Sequence, residues 1–137
     1  MPIVWREQMN VGIKAIDDDH RKLVELINTF EELVRRSPRL DLDQEALVRT
    51  VLARLQTYAR EHFAREERLQ VVAGYAGLDE NKREHQKLSR DLGNMIDRYH
   101  SSVGEPLTGE EMLKFLNSWL VNHIIRIDLK MRGRMAG

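Results

Sequence analysis

The sequence predicts an all-α protein, an up-down-up-down four-helix bundle crossed by an extended N-terminal arm. Three observations carry this prediction. Four segments repeat apolar residues at three- and four-residue spacing, the period of a helix that buries one face. Short stretches containing Gly, Pro or Ser separate these segments, and short connections make helices antiparallel neighbours. No stretch alternates apolar and polar residues over a useful length, which a half-buried strand requires.

In chain order, residues 1–16 hold Ile3, Val4, Trp5, Val11, Ile13 and Ile16 without helical spacing and read as an arm packed across the bundle. Asp17, Asp18 and Asp19 supply N-cap and first-turn acids for a helix over about 17–36, where negative charge meets the positive end of the dipole. Leu23, Leu26, Ile27, Phe30, Leu33 and Val34 form its apolar stripe, and Ser37-Pro38-Arg39 stops it. A second helix, starting near Asp41 or Asp43 and spanning about 42–72, directs Leu47, Val51, Leu55, His62, Glu66 and Leu69 to one face. Gly74-Tyr75-Ala76-Gly77 is a turn by composition. The third helix, about 79–100, aligns Asn81, His85, Leu88, Leu92, Met95 and Tyr99. After the Ser101–Pro106 loop, Thr108 and Glu111 make a capping box. The fourth helix, about 108–130, carries Met112, Phe115, Leu116, Trp119, Leu120, His123, Ile124 and Ile127. The basic residues Arg126, Lys130, Arg132 and Arg134 complement the dipole at its end and otherwise face solvent.

Length and composition narrow the function. A chain of 137 residues suits one domain with a real core. Lys and Arg (22) balance Asp and Glu (22), giving no net charge, which argues against a nucleic-acid partner. The absence of cysteine removes disulfides, thiolate metal sites and Cys nucleophiles. No apolar run is long enough to cross a bilayer, and the first residues lack the core of a signal peptide. These features lead us to expect a cytoplasmic protein without a membrane partner.

The candidate chemistry lies in histidines and carboxylates. His62 and Glu66 stand one helical turn apart on a face directed at the core, where neither group is tolerated without a partner or a metal. His20 opens helix one, His62 lies late in helix two, His85 early in helix three and His123 late in helix four. In an up-down bundle all four fall at the same end. Asp128 follows His123 by five residues, a separation that needs a helix irregularity to share its direction. Imidazole and carboxylate donors without thiolate suit iron, manganese, zinc or copper, and bridging carboxylates suit a two-metal site.

With these residues in view, the chain resembles the bacterial hemerythrins. The resemblance is carried by Trp5, Val11-Gly12-Ile13, Ile16-Asp17 and His20, by His62-Phe63-x-x-Glu66-Glu67, and by Trp119-Leu120-x-x-His123-Ile124-x-x-x-Asp128. It implies a non-haem centre of two iron ions that binds dioxygen. One iron would be held by His20 and His62 and the other by His85, His123 and a third histidine. Glu66 and Asp128 would bridge the pair together with an oxo or hydroxo group, and Trp119, Leu120 and Ile124 would keep the oxygen pocket apolar. The implied protein is a monomer that carries, stores or senses oxygen rather than an enzyme.

The chain departs from the family pattern at one ligand. The third helix reads Asn81-Lys82-Arg83-Glu84-His85, with Asn81 where the pattern has its first histidine. An amide oxygen is a weaker iron donor than imidazole. His100 lies 15 residues past His85, about 22 Å along a helix and out of reach. Glu80 is an alternative oxygen at the helix start. The family's Tyr-Pro turn is also Tyr75-Ala76 here. Three outcomes stay open: an altered oxygen site completed by Asn81 or water; a more open di-iron enzyme with peroxidase-like, oxidase or nitric-oxide chemistry; or a metal-depleted regulatory bundle.

Overall fold

The computed structural model describes residues 2–36, 42–101 and 107–134. Among these residues there are helices and turns and no strands. The expected stop at Ser37-Pro38-Arg39, the Asp41 start and the Ser102–Pro106 loop lie outside the described residues.

Helix α1 (Lys14–Arg35) begins three residues before the sequence-expected start at Asp17. Asp17 is therefore not a cap in front of the helix. From the first turn its carboxylate accepts Val11 N–H at 2.7 Å and Gly12 N–H at 3.1 Å. Those bonds join the arm to the helix, and Gly12, at φ 96°, supplies a backbone angle that L side chains rarely adopt. Asp19, read from sequence as a first-turn acid, instead lies on the buried face.

Helix α2 (Leu42–Ala73) turns through Gly74–Gly77 into the antiparallel α3 (Leu78–His100). The buried stripe of α2 is Val48, Val51, Leu52, Leu55, Ala59, His62, Phe63, Glu66 and Gln70. Leu47, expected on this face, is exposed. Successive steps of four residues overshoot one turn of 3.6, so the stripe drifts around a helix this long.

Helix α4 (Gly109–Asn117) starts at Thr108, whose hydroxyl accepts Glu111 N–H at 3.0 Å as the capping-box reading expects. Beyond Asn117 the helix changes pitch. It continues as a π-type segment over Ser118–Ile125, one α turn over Arg126–Asp128 and a 3-10 turn over Leu129–Met131.

The main apolar core reaches the histidines at Phe63, which stacks on His85. Phe30, Leu23, Ile27, Leu52, Leu55, Leu92, Met112, Leu116, Leu120 and Trp119 are fully enclosed. The arm is clipped at both ends. Asn28 pairs with both backbone groups of Ile3 at 2.9 Å, and Arg132 donates to the carbonyls of Gln8 and Asn10. Arg132 thus has a structural role that its place in a basic tail did not suggest. No helix among the described residues is long and apolar enough to cross a membrane.

Candidate metal centre

α1, α2, α3 and the end of the fourth helix each contribute polar groups to one buried cluster. His20, His62, Glu66 and Asp128 are enclosed, and each offers a ligand atom within 4.8 Å of the others. His20 Nε2 lies 2.7 Å from Asp128 Oδ2, and His62 Nε2 lies 3.4 Å from the same oxygen. The two oxygens of Glu66 are divided: Oε2 is 3.0 Å from His62 Nε2, and Oε1 is 3.2 Å from His85 Nε2. Three imidazoles from three helices therefore turn Nε2 toward two carboxylates.

The outer ring nitrogens of His62 and His85 are held as well, whereas Nδ1 of His20 has no hydrogen-bond partner. His62 Nδ1 lies 3.0 Å from Asp19 Oδ2, and His85 Nδ1 lies 2.7 Å from Glu67 Oε2. Asp19 is itself anchored by both Arg65 Nε and Nη2, at 2.8 and 3.0 Å, and by the Tyr58 hydroxyl at 2.8 Å. A carboxylate on the far nitrogen sets the ring's orientation and raises its basicity, as partners of metal-binding histidines do. Phe63 stacks on His85 with ring centroids 4.3 Å apart, limiting that ring's rotation.

The electrostatics describe a site built for positive charge. Burial favours neutral His62, but contacts with Asp128, Asp19 and Glu66 outweigh it and hold the ring well above its ordinary pKa. Burial likewise disfavours ionised Asp128, yet His20 and His62 hold its carboxyl below the usual range. Glu66 shifts the other way, raised by burial and by the neighbouring Asp128 charge. Two enclosed carboxylates side by side are costly unless cations neutralise them. The donor set of imidazole nitrogens and carboxylate oxygens fits divalent iron or manganese.

Of the residues singled out from sequence, His20, His62, Glu66, His85 and Asp128 meet here. Asn81 is buried one turn before His85, and its Nδ2 has no hydrogen-bond partner. Glu80 is exposed, 3.7 Å from Lys130. His123 does not join the cluster; it lies on the exposed side of the π-type segment. The segment is a helix irregularity, but it does not bring His123 and Asp128 to one direction as the sequence reading required. Each residue in an i→i+5 segment turns less about the axis than in an α-helix, and Asp128 is buried while His123 is not. Trp119, Leu120 and Ile124 are buried, and Trp119 Nε1 donates to Leu88 O at 3.0 Å.

Sequence reasoning missed Asp19, Glu67 and Gln70 as neighbours of these groups. Gln70 is fully enclosed one turn after Glu66, and its Nε2 lies 3.5 Å from Glu66 Oε1 and 3.1 Å from Met131 Sδ. Its spacing from Glu66 was a usable signal, since i and i+4 share a face.

A four-helix bundle with this cluster at one end defines a class of cation-binding helical proteins. The sequence model of the hemerythrin HHE cation binding domain matches residues 11–133, and the chain belongs to the hemerythrin family. It is 32% identical over 126 residues to a bacteriohemerythrin of Pseudomonas paraeruginosa, covering 92% of this chain and 76% of that one. A bacteriohemerythrin of Clostridium acetobutylicum is 29% identical over 125 residues, covering 91% and 95% of the two chains. A hemerythrin-like protein of Naegleria gruberi is 26% identical over 132 residues, covering 96% and 92%.

Proposed function

We propose that the protein is a non-haem di-iron protein that binds dioxygen reversibly, acting in oxygen carriage, storage or sensing. The observation that carries this reading is Glu66, whose two oxygens face His62 and His85 separately. A carboxylate placed so suits two adjacent ions better than one. His20 and His62 would hold the first iron and His85 the second, with Glu66 and Asp128 between them. Iron held there would supply two electrons to dioxygen and recover them on release.

The remaining residues prepare that chemistry. Asp19 and Glu67 keep the Nε2 atoms of His62 and His85 directed inward. Trp119, Leu120 and Ile124 exclude water, and Trp119 spends its only donor on Leu88 O, leaving an apolar wall. His123, the further expected ligand, lies on the exposed side of the Ser118–Ile125 segment and is not part of the proposed ligand set. Every ligand comes from one chain, which fits a monomer, and a chain without cysteine tolerates the reducing cytoplasm.

An enzyme reading is favoured by one observation: among the described residues, the second half of the cluster presents His85 as its sole imidazole. Fewer ligands leave more open positions. The test is the visible spectrum of the reduced, iron-loaded protein before and after air. A new band that disappears when oxygen is removed supports reversible binding. Two irons per chain without a lasting adduct, together with rapid peroxide turnover, overturns it in favour of the enzyme.

A further inference from the structure

We infer that Gln70 is a ligand of the second metal position, supplying an amide oxygen where the sequence has lost an imidazole at Asn81. This inference rests on the di-metal reading above and adds a residue that motif matching did not select. Gln70 is fully enclosed, and its amide lies against Glu66 Oε1, the same oxygen that His85 Nε2 approaches. Gln70 and His85 thus converge from α2 and α3 on the half of Glu66 that faces away from His62.

Gln70 Oε1 and Asn81 Nδ2 are among the enclosed polar atoms at this end without hydrogen-bond partners. An unpaired amide group in a protein interior is destabilising, so its presence calls for a ligand or a reason. Register places the two at one level. Glu66 meets His85 across antiparallel helices, and one turn onward along α2 and one turn back along α3 lead to Gln70 and Asn81. The oxygen and nitrogen of an amide are nearly equal in size. A half-turn about the last torsion of Gln70 therefore exchanges Nε2 for Oε1 beside Glu66 without new packing.

The consequence is an asymmetric centre. The first position has imidazoles from His20 and His62 with carboxylates from Glu66 and Asp128. The second combines the imidazole of His85 with oxygens from Glu66 and Gln70. Carboxylate and carbonyl oxygens suit harder divalent ions, so the second position accepts Mn2+ readily.

The test uses Mn2+ as the probe, because a pair of adjacent Mn2+ ions gives an exchange-coupled paramagnetic resonance spectrum and a lone ion does not. Wild type is expected to bind two ions as a coupled pair. Gln70→Leu, which keeps the volume and removes the oxygen, is expected to bind one uncoupled ion, with second-ion affinity lower by about 10–100-fold. Gln70→Glu retains an oxygen and is expected to keep the coupled pair. If Gln70→Leu shows an unchanged coupled pair, Gln70 is not a ligand. If Gln70→Glu loses the second ion as fully as Gln70→Leu, the side chain acts through packing and the inference fails. Binding of no ion by the wild type overturns the metal-centre reading, and this inference with it.

Discussion

Asp19 on α1 and His62 on α2 are joined across the bundle, with Oδ2 3.0 Å from Nδ1, and the same carboxylate receives a two-pronged contact from Arg65. The contact puts a buried negative charge behind a buried imidazole and holds it there with an arginine. Asp19 is kept below the usual carboxylate range: burial opposes its charge, but His62, Arg65 and Tyr58 outweigh it. His62 is consequently held with Nε2 directed between Glu66 and Asp128.

Asp19→Ala is expected to weaken metal binding by about 10–100-fold while the helices persist, as loss of such a partner commonly does. Competition against a chelator, with helical content followed in parallel, measures this. Arg65→Ala, which leaves the carboxylate behind His62 in place, is expected to lose less. Equal binding by Asp19→Ala and wild type would show that the contact does not orient a ligand.

The packed end of the bundle is expected to fail independently of the site. Phe30 is fully enclosed, and Phe30→Ala is expected to cost about 3–5 kcal/mol in denaturant unfolding. Metal stoichiometry below the transition should match wild type. A cost under about 1 kcal/mol would mean that the core around Phe30 collapses to fill the space.

Alkaline titration offers a test that does not depend on metal. All three tyrosines, Tyr58, Tyr75 and Tyr99, are raised above 10.0, by burial first in each case. Tyr58, which donates to the Asp19 carboxylate, is pushed up to about 12. A raised folded pKa means that the folded chain keeps its proton where the unfolded chain has lost it. The associated stability is complete below pH 10 and declines as pH rises from there through the folded values. Phenolate absorbance of the native protein is therefore expected to lag that of the unfolded protein. A tyrosine titrating at its ordinary value would contradict the burial assigned to it.

How much of this was legible in the sequence varies with the distance over which a pattern must be extrapolated. His62, Glu66 and His85 could be placed because each lies on a regular helix within a turn or two of an unambiguous core residue. His20 could be placed although its helix starts at Lys14, since a shifted start does not rotate the stripe. Leu47 could not, because it lies four turns from His62 and the stripe drifts over that length. The direction of His123 was hidden for a different reason: period counting assumes constant pitch, and the fourth helix changes pitch at Ser118. Asp19 and Glu67 act on histidines of neighbouring helices, which depends on inter-helix register that no single-segment pattern encodes, whereas Gln70 could have been found from its four-residue spacing to Glu66. The bundle itself was legible because four amphipathic segments joined by short turns have few ways to hide their apolar faces.

The most direct test of the central claim is iron content per chain in protein expressed with iron, measured for wild type and His62→Ala side by side. His62 touches both carboxylates of the cluster, so its removal is expected to take the wild type from two irons per chain to fewer than one, with helical content preserved. Retention of two irons by His62→Ala would contradict the account, because the metal would then be held somewhere other than among His20, His62, Glu66, His85 and Asp128.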